Sequence, residues 1–167
     1  MTRPSAFASV LRMKVIFLAA MDTLTPERRS ALMSRVRSKN TKPEMIVRRL
    51  LFGLGYRYRL HVKALPGTPD LVFPSRKKVI LAHGCFWHAH HCRYGRAPKS
   101  RKDFWDAKRI GNVRRDRAAK RELNRLGWSV RTVWECQLRR GTRDTEKRLV
   151  AFLGPRLASI RKRRRPS

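Results

Sequence analysis

The chain of 167 residues is long enough for one sizeable core and too short for two independent enzymatic modules, so a single domain with tails is expected. Its 42 Lys and Arg against 11 Asp and Glu leave +31, a self-repulsion that a compact chain tolerates best beside a polyanion, and nucleic acid is the first candidate. An apolar share of 41% argues against wholesale disorder, and no apolar run reaches the roughly 18–20 residues of a helical membrane span.

Arg12 and Lys14 precede an apolar patch, Val15–Ala20, that is shorter than the core of a secretory signal, and no small-residue cleavage pattern follows before Met21. Residues 1–21 are therefore expected to be a flexible extension, or to precede a true start at Met21. Three cysteines fit a disulfide framework poorly and point to a reducing, cytoplasmic compartment where thiols are available to metal. Thr25-Pro26-Glu27 reads as a helix start, with a hydroxyl cap and a first-turn proline and acid, and the helix should run to about Ser38. Thr41 and Glu44 have capping-box spacing, and Ile46, Val47, Leu50, Leu51 and Leu54 recur at helical intervals until Gly55 stops them.

Residues from Tyr56 to Val62 alternate as a strand, and the turn Pro66-Gly67-Thr68-Pro69 delivers the chain into a second strand, Asp70–Phe73. A third strand, Lys77–Ala82, holds the unbroken run Val79-Ile80-Leu81-Ala82, which predicts cover on both faces. A long basic helix is expected from Lys102 to Leu126, bent near Gly111 and stopped by Gly127. Trp128, Val130, Thr132 and Trp134 alternate as a further strand, and Thr145–Leu153 makes a last helix. The run Arg161–Arg165 reads as a solvated tail making loose phosphate contacts. The order predicts an α/β fold, a small mixed sheet flanked by helices, over residues 22–155, with a basic tail at 156–167.

Carboxylates are scarce enough to be informative: between Glu27 and Asp103 the chain has only Glu44 and Asp70. Asp70 follows the turn into one strand, and the next strand ends in His83-Gly84. Two such strands can converge a carboxylate, backbone carbonyls and histidines on one Mg²⁺, with phosphate and water completing its shell. That is the skeleton of a metal-dependent nuclease. The plainer alternatives are that Asp70 caps its turn and that Glu44 only reciprocates Thr41.

Four of the five histidines fall in His83-Gly-Cys-Phe-Trp-His88-Ala-His90-His91-Cys92. Thiolates and imidazoles together suit tetrahedral Zn²⁺, and Cys85, His90, Cys92 and the remaining thiol, Cys136, would make a closed structural site. Spacing alone leaves His91 equally open as the imidazole ligand. His83 and His88 then remain for proton transfer or phosphate contact near the proposed Mg²⁺. Phe86 and Trp87 sit inside this polar loop and Trp105 in a helix that begins among basic residues, where aromatics can stack on bases or wedge between them, whereas Trp128 and Trp134 fit the core. Arg96–Arg125 carries twelve Lys or Arg against four acids, a net of +8.

These residues resemble the very-short-patch-repair (Vsr) endonucleases. The resemblance rests on Ser38-Lys39-Asn40-Thr41-Lys42-Pro43-Glu44, Leu65-Pro66-Gly67-Thr68-Pro69-Asp70, Val79-Ile80-Leu81-Ala82-His83-Gly84-Cys85-Phe86-Trp87-His88, Phe104-Trp105, Asn112-Val113-Arg114-Arg115-Asp116, and Gly127-Trp128 leading to Val133-Trp134-Glu135-Cys136. It implies a restriction-endonuclease-like fold and a Mg²⁺-dependent nick 5′ of the thymine in T·G mismatches left by 5-methylcytosine deamination. By position, Asp70 and the carbonyl of Ala82 would bind Mg²⁺, His88 would be the general base, His83 would assist at the phosphate, and Glu44 would hold metal-bound water. Cys85, His90, Cys92 and Cys136 would hold structural zinc, with His90 preferred over His91. Phe86, Trp87 and Trp105 would form the DNA wedge. The resemblance further implies a monomer on double-stranded DNA with a functional link to a cytosine-5 DNA methyltransferase. Ala82 stands where the best-known pattern has threonine, which a carbonyl ligand tolerates, and Ala89 interrupts a histidine run.

Two rival readings are a zinc-stabilised DNA-binding protein without catalysis, and a nuclease whose histidine cluster is its only metal site, leaving Asp70 dispensable. All three readings share the charge. If six phosphates are neutralised, the plot of log K for duplex binding against log salt should have a slope of about −5 by fluorescence anisotropy. A flat plot would refute backbone contact as the main source of affinity.

Overall fold

In a computed structural model, residues 25, 28, 39–98 and 101–155 are described. The N-terminal extension, most of the expected first helix and the basic tail lie outside these residues. Thr25 and Arg28 are the exceptions: the Arg28 amide donates to Thr25 Oγ1 at 3.4 Å, the bond expected of a hydroxyl cap. The described residues divide into two compact units, one drawn from Met1–Thr41 with Cys85–Arg114, the other from Lys42–Gly84 with Arg115–Ser167.

The second unit holds the sheet. Helix α1, Lys42–Gly53, buries Val47 and Leu51 completely, with Ile46 and Leu50 partly buried beside them, as the helical spacing predicts. It ends where Gly55 adopts φ +84°. The amide of Gly55 donates to Phe52 O and that of Tyr56 to Leu51 O, both at 2.9 Å, so two terminal carbonyls are satisfied.

The expected strand over residues 56–62 shrinks to β1, Arg59–Leu60. Tyr56 and Tyr58 instead anchor by their hydroxyls to Gly154 O at 2.7 Å and Arg48 O at 2.8 Å, and both rings pack edge-on to Phe73. At the other end His61 takes φ +47°, a left-handed conformation that breaks the extended ladder.

Strand β2, Leu71–Phe73, pairs antiparallel with β1 and with β3, Lys78–His83, through Leu71 opposite Ile80. Strand β4, Ser129–Trp134, runs parallel to β3 with Ile80 opposite Arg131, giving the order β1-β2-β3-β4. The mixed sheet is thus as expected for the α/β class. Val79 through His83 are all buried. Ile80 and Ala82 join the cluster of Val47, Leu51, Leu138, Leu149 and Leu153, while Val79 joins Val72 and Leu123. Alternate side chains of a strand point to opposite faces, so β3 is covered on both.

Helix α2, Lys102–Arg125, runs through Gly111 as one helix. Gly127, φ +77°, ends it, and Trp128 N donates to Leu123 O at 2.9 Å. Trp128 and Trp134 are half-buried at the margins: Trp128 packs on Val72, Val79 and Leu123, and Trp134 lies edge-on to His83. A short helix, α3 at Glu135–Arg139, follows β4 directly and had no periodicity long enough to announce it. Helix α4, Thr142–Leu153, starts three residues ahead of its expected place. No helix among the described residues is long and apolar enough to cross a membrane.

The turn before β2 depends on Gly67, whose φ is +71° and whose missing Cβ would lie 2.6 Å from Ala119 Cβ. Gly67→Ala should lower unfolding stability by at least about 1–2 kcal/mol in urea titrations. Gly53→Ala, with open space around its Cβ position, should not.

Candidate active site

The turn that carries Gly67 also places Thr68 at φ +47°, closed by a Thr68 N to Leu65 O bond of 3.1 Å, and buries Pro69. The chain therefore enters β2 with Asp70 beside β3. There Asp70 Oδ2 accepts the Ala82 amide at 2.7 Å, so the carboxylate is tied to the neighbouring strand. In a strand the N–H and C=O of one residue face the same edge, which puts the Ala82 carbonyl on the Asp70 side as well.

Glu44, in the first turn of α1, is fully buried. Its Oε1 lies 3.4 Å from Arg48 Nη1, one helical turn on, and 3.0 Å from His61 Nε2. Glu44, His61 and Asp70 each offer a ligand atom within 4.8 Å of the others, a set that could hold a metal ion. His61 had no assigned role in the sequence: it stands apart from the histidine cluster, and only its left-handed backbone turns it toward Glu44.

His83 closes β3, buried, with its ring edge-on to Trp134 at 5.4 Å. Its Nδ1 is 3.9 Å from Asp116 Oδ2 of α2. Asp116 is a second residue that the sequence reading left without a role, although it closes the Asn112–Asp116 string. Nothing in the sequence pairs it with a strand end.

The first unit contains the Cys/His loop. Cys85 O accepts the His90 amide at 3.0 Å, His90 O accepts the Cys92 amide at 2.8 Å, and Cys92 O accepts the Gly95 amide at 2.9 Å. This winding gathers the ligand atoms of Cys85, His90 and Cys92 within 4.8 Å of one another, a cluster that could hold a metal ion. Spacing left His90 and His91 open; the loop turns His90 into the cluster and exposes His91. Cys136, in the second unit, is buried in the first turn of α3. None of the three cysteines forms a disulfide. His88 is half-buried in this loop.

Phe86 and Trp105 face each other at 5.2 Å and are only 8% and 2% exposed, so they differ from the exposed platform the sequence suggested. Trp87, packed against both, is half-buried. Beside the pair, the buried guanidinium of Arg109 donates to Phe86 O at 3.0 Å and to Gly95 O. Asn112 Nδ2 donates to Trp87 O at 2.8 Å. The basic helix thus holds the loop's backbone carbonyls with side chains of its inner face.

A buried Glu44 and a half-buried Asp70 with an adjoining histidine beside a mixed sheet, in a chain of +31, are the equipment of a DNA endonuclease. Comparison with known proteins specifies the class. Residues 21–94 match the family model described as DNA mismatch endonuclease Vsr. The chain is 57% identical over 117 residues to the type II nicking enzyme V.XorIIP of Xanthomonas oryzae pv. oryzae, covering 70% of this chain and 86% of that one. It is 45% identical over 118 residues to the type II nicking enzyme V.NmeAIP of Neisseria meningitidis serogroup A, covering 71% and 84%. With the DNA mismatch endonuclease Vsr of Escherichia coli K12 the identity is 41% over 125 residues, covering 75% and 80%. The chain belongs to the Vsr endonuclease family.

The loop's winding leaves no room at Gly95, where a Cβ would lie 1.9 Å from His90 O. Gly95→Ala should therefore open the loop and raise the labelling rate of Cys85 by a thiol reagent at least about tenfold, read by mass spectrometry. Gly53→Ala, in a helix and with open space around its Cβ position, should leave that rate unchanged.

Proposed function

We propose that the chain is a mismatch endonuclease that nicks one DNA strand 5′ of the thymine in a T·G pair arising from 5-methylcytosine deamination. The observation that carries this reading is the Asp70 carboxylate, tied at 2.7 Å to the Ala82 amide beside the buried Glu44. It is supported by the mismatch activity named for the E. coli relative and the nicking activity named for the others.

In this reading Asp70 and the Ala82 carbonyl hold Mg²⁺, for which hard oxygen donors are suited. When bound, that ion offsets the charge building on the scissile phosphate. Glu44 orients water by accepting its hydrogen bond. His88 takes a proton from the attacking water as oxygen bonds to phosphorus and the P–O bond to the leaving strand breaks. His83, steadied by Asp116 and Trp134, contacts the phosphate, and the leaving oxygen takes a proton from solvent water.

Cys85, His90 and Cys92, with Cys136 as the fourth ligand, hold a structural zinc whose donor set of three thiolates and one imidazole suits that metal. Trp87 presents the wedge face, with Phe86 and Trp105 packed behind it, beside the mismatch. The protein works as a monomer on duplex DNA and is functionally linked to a cytosine-5 methyltransferase, whose product creates the lesion.

The test compares nicking of T·G, T·A and C·G duplexes with Mg²⁺ by wild type and Asp70→Ala. Wild type should nick T·G selectively, and Asp70→Ala should lose at least about 10²–10³-fold in rate while still binding DNA. Binding without nicking by wild type would favour a non-catalytic DNA-binding protein. Unimpaired nicking by Asp70→Ala would place the chemistry elsewhere. Cys136→Ser should lower the zinc content of folded protein, measured by atomic emission; undiminished zinc would remove Cys136 from the ligand set.

A further inference from the structure

His61 is the histidine that neither the loop cluster nor the proposed reaction uses. Its Nε2 is buried and has no hydrogen-bond partner, although Glu44 Oε1 is 3.0 Å away. The ring's N–H direction misses the carboxylate, so a simple imidazole-to-carboxylate hydrogen bond does not account for the contact. The backbone at His61 is held at φ +47°, a conformation disfavoured for a residue with a Cβ.

A shared cation accounts for all three features. Two ligands at right angles on an ion with bonds of roughly 2.1 Å stand about 3.0 Å apart, so the spacing of Nε2 and Oε1 suits adjacent coordination positions. Asp70 offers an oxygen within 4.8 Å of both. Two carboxylates this close repel each other unless a positive charge lies between them, and a divalent ion bound by both supplies it.

We propose that His61 and Glu44 are direct ligands of the divalent ion held at Asp70, so that Glu44 binds the ion itself and not only its water, making the centre a mixed nitrogen–oxygen site that prefers Mn²⁺ to Mg²⁺. The inference rests on the carboxylate centre of the preceding reading and extends it. Mg²⁺ favours oxygen donors and gives up water reluctantly, whereas imidazole strengthens binding of first-row transition ions. Ion choice at this centre is therefore set by a residue outside the histidine cluster.

The experiment titrates zinc-replete, full-length protein with Mn²⁺ by electron paramagnetic resonance, without DNA, and then displaces it with Mg²⁺. Wild type should bind Mn²⁺ with an imidazole nitrogen hyperfine coupling. In His61→Asn the coupling should vanish, Mn²⁺ affinity should fall roughly tenfold or more, and Mg²⁺ should compete correspondingly better. Asparagine tolerates a left-handed backbone, so this variant keeps the fold, which circular dichroism checks. His83→Asn and His88→Asn should retain the coupling.

Persistence of the coupling in folded His61→Asn, or its absence from wild type, overturns the proposal. Asp70→Asn separates the two layers of the argument. If it abolishes Mn²⁺ binding while His61→Asn leaves the coupling intact, the carboxylate centre stands and the nitrogen ligand falls. If it leaves Mn²⁺ binding unchanged, the carboxylate centre itself falls, and the proposal with it.

Discussion

The bond from the Ala82 amide to Asp70 Oδ2 joins a turn to the central strand of the sheet. Withdrawing a carboxylate from water is unfavourable unless its oxygens are satisfied, and here the Ala82 amide of β3 satisfies one oxygen of the half-buried Asp70. The same bond sets the direction of the side chain, because β3 is held on both edges and buried on both faces. A rigid strand therefore determines where a flexible carboxylate points. That arrangement needs the Gly67 turn, since the close approach of Ala119 leaves no room for a side chain there.

Around this anchor the unit stacks its polar groups against hydrophobic support. Val47 and Leu51 fix α1 on the sheet, which in turn buries Glu44 one turn earlier on the same face of the helix. His83 extends β3 by one residue beyond Ala82 and rests on Trp134 of the parallel partner strand. Core packing and site geometry are thus one set of constraints: the residues that cover β3 also position the residues at its end.

The first unit solves a different problem. A loop of residues 85–98 has a 3-10 turn as its one regular element, so its carbonyls need partners from elsewhere. Arg109 and Asn112 supply them from one face of α2, three residues apart. Along the same helix Arg109 is buried by this role, while Lys108, Arg114 and Arg117 are exposed on its surface.

Much of this was legible in the residues. The scarcity of acids singled out Glu44 and Asp70, the apolar run marked β3 as the covered strand, and glycines 55 and 127 marked two helix ends, because each of these signals depends on local chemistry or on composition. Three features were not legible. The Tyr56–Val62 strand was overestimated because its tyrosines are fixed by distant carbonyls. Phe86 and Trp105 looked exposed because one lies in a polar loop and the other beside charged residues of a helix, whereas their neighbours in space are each other. His61 looked idle because its partners are 17 residues before it and nine after it in the chain. The amino-acid sequence by itself determined the class of fold, the charge, the candidate ligands and the family. Only the tertiary structure decided that His90 rather than His91 turns inward, that Glu44 meets His61, and that Asp70 is held by Ala82, because each depends on backbone direction at turns whose closure is set by contacts far along the chain.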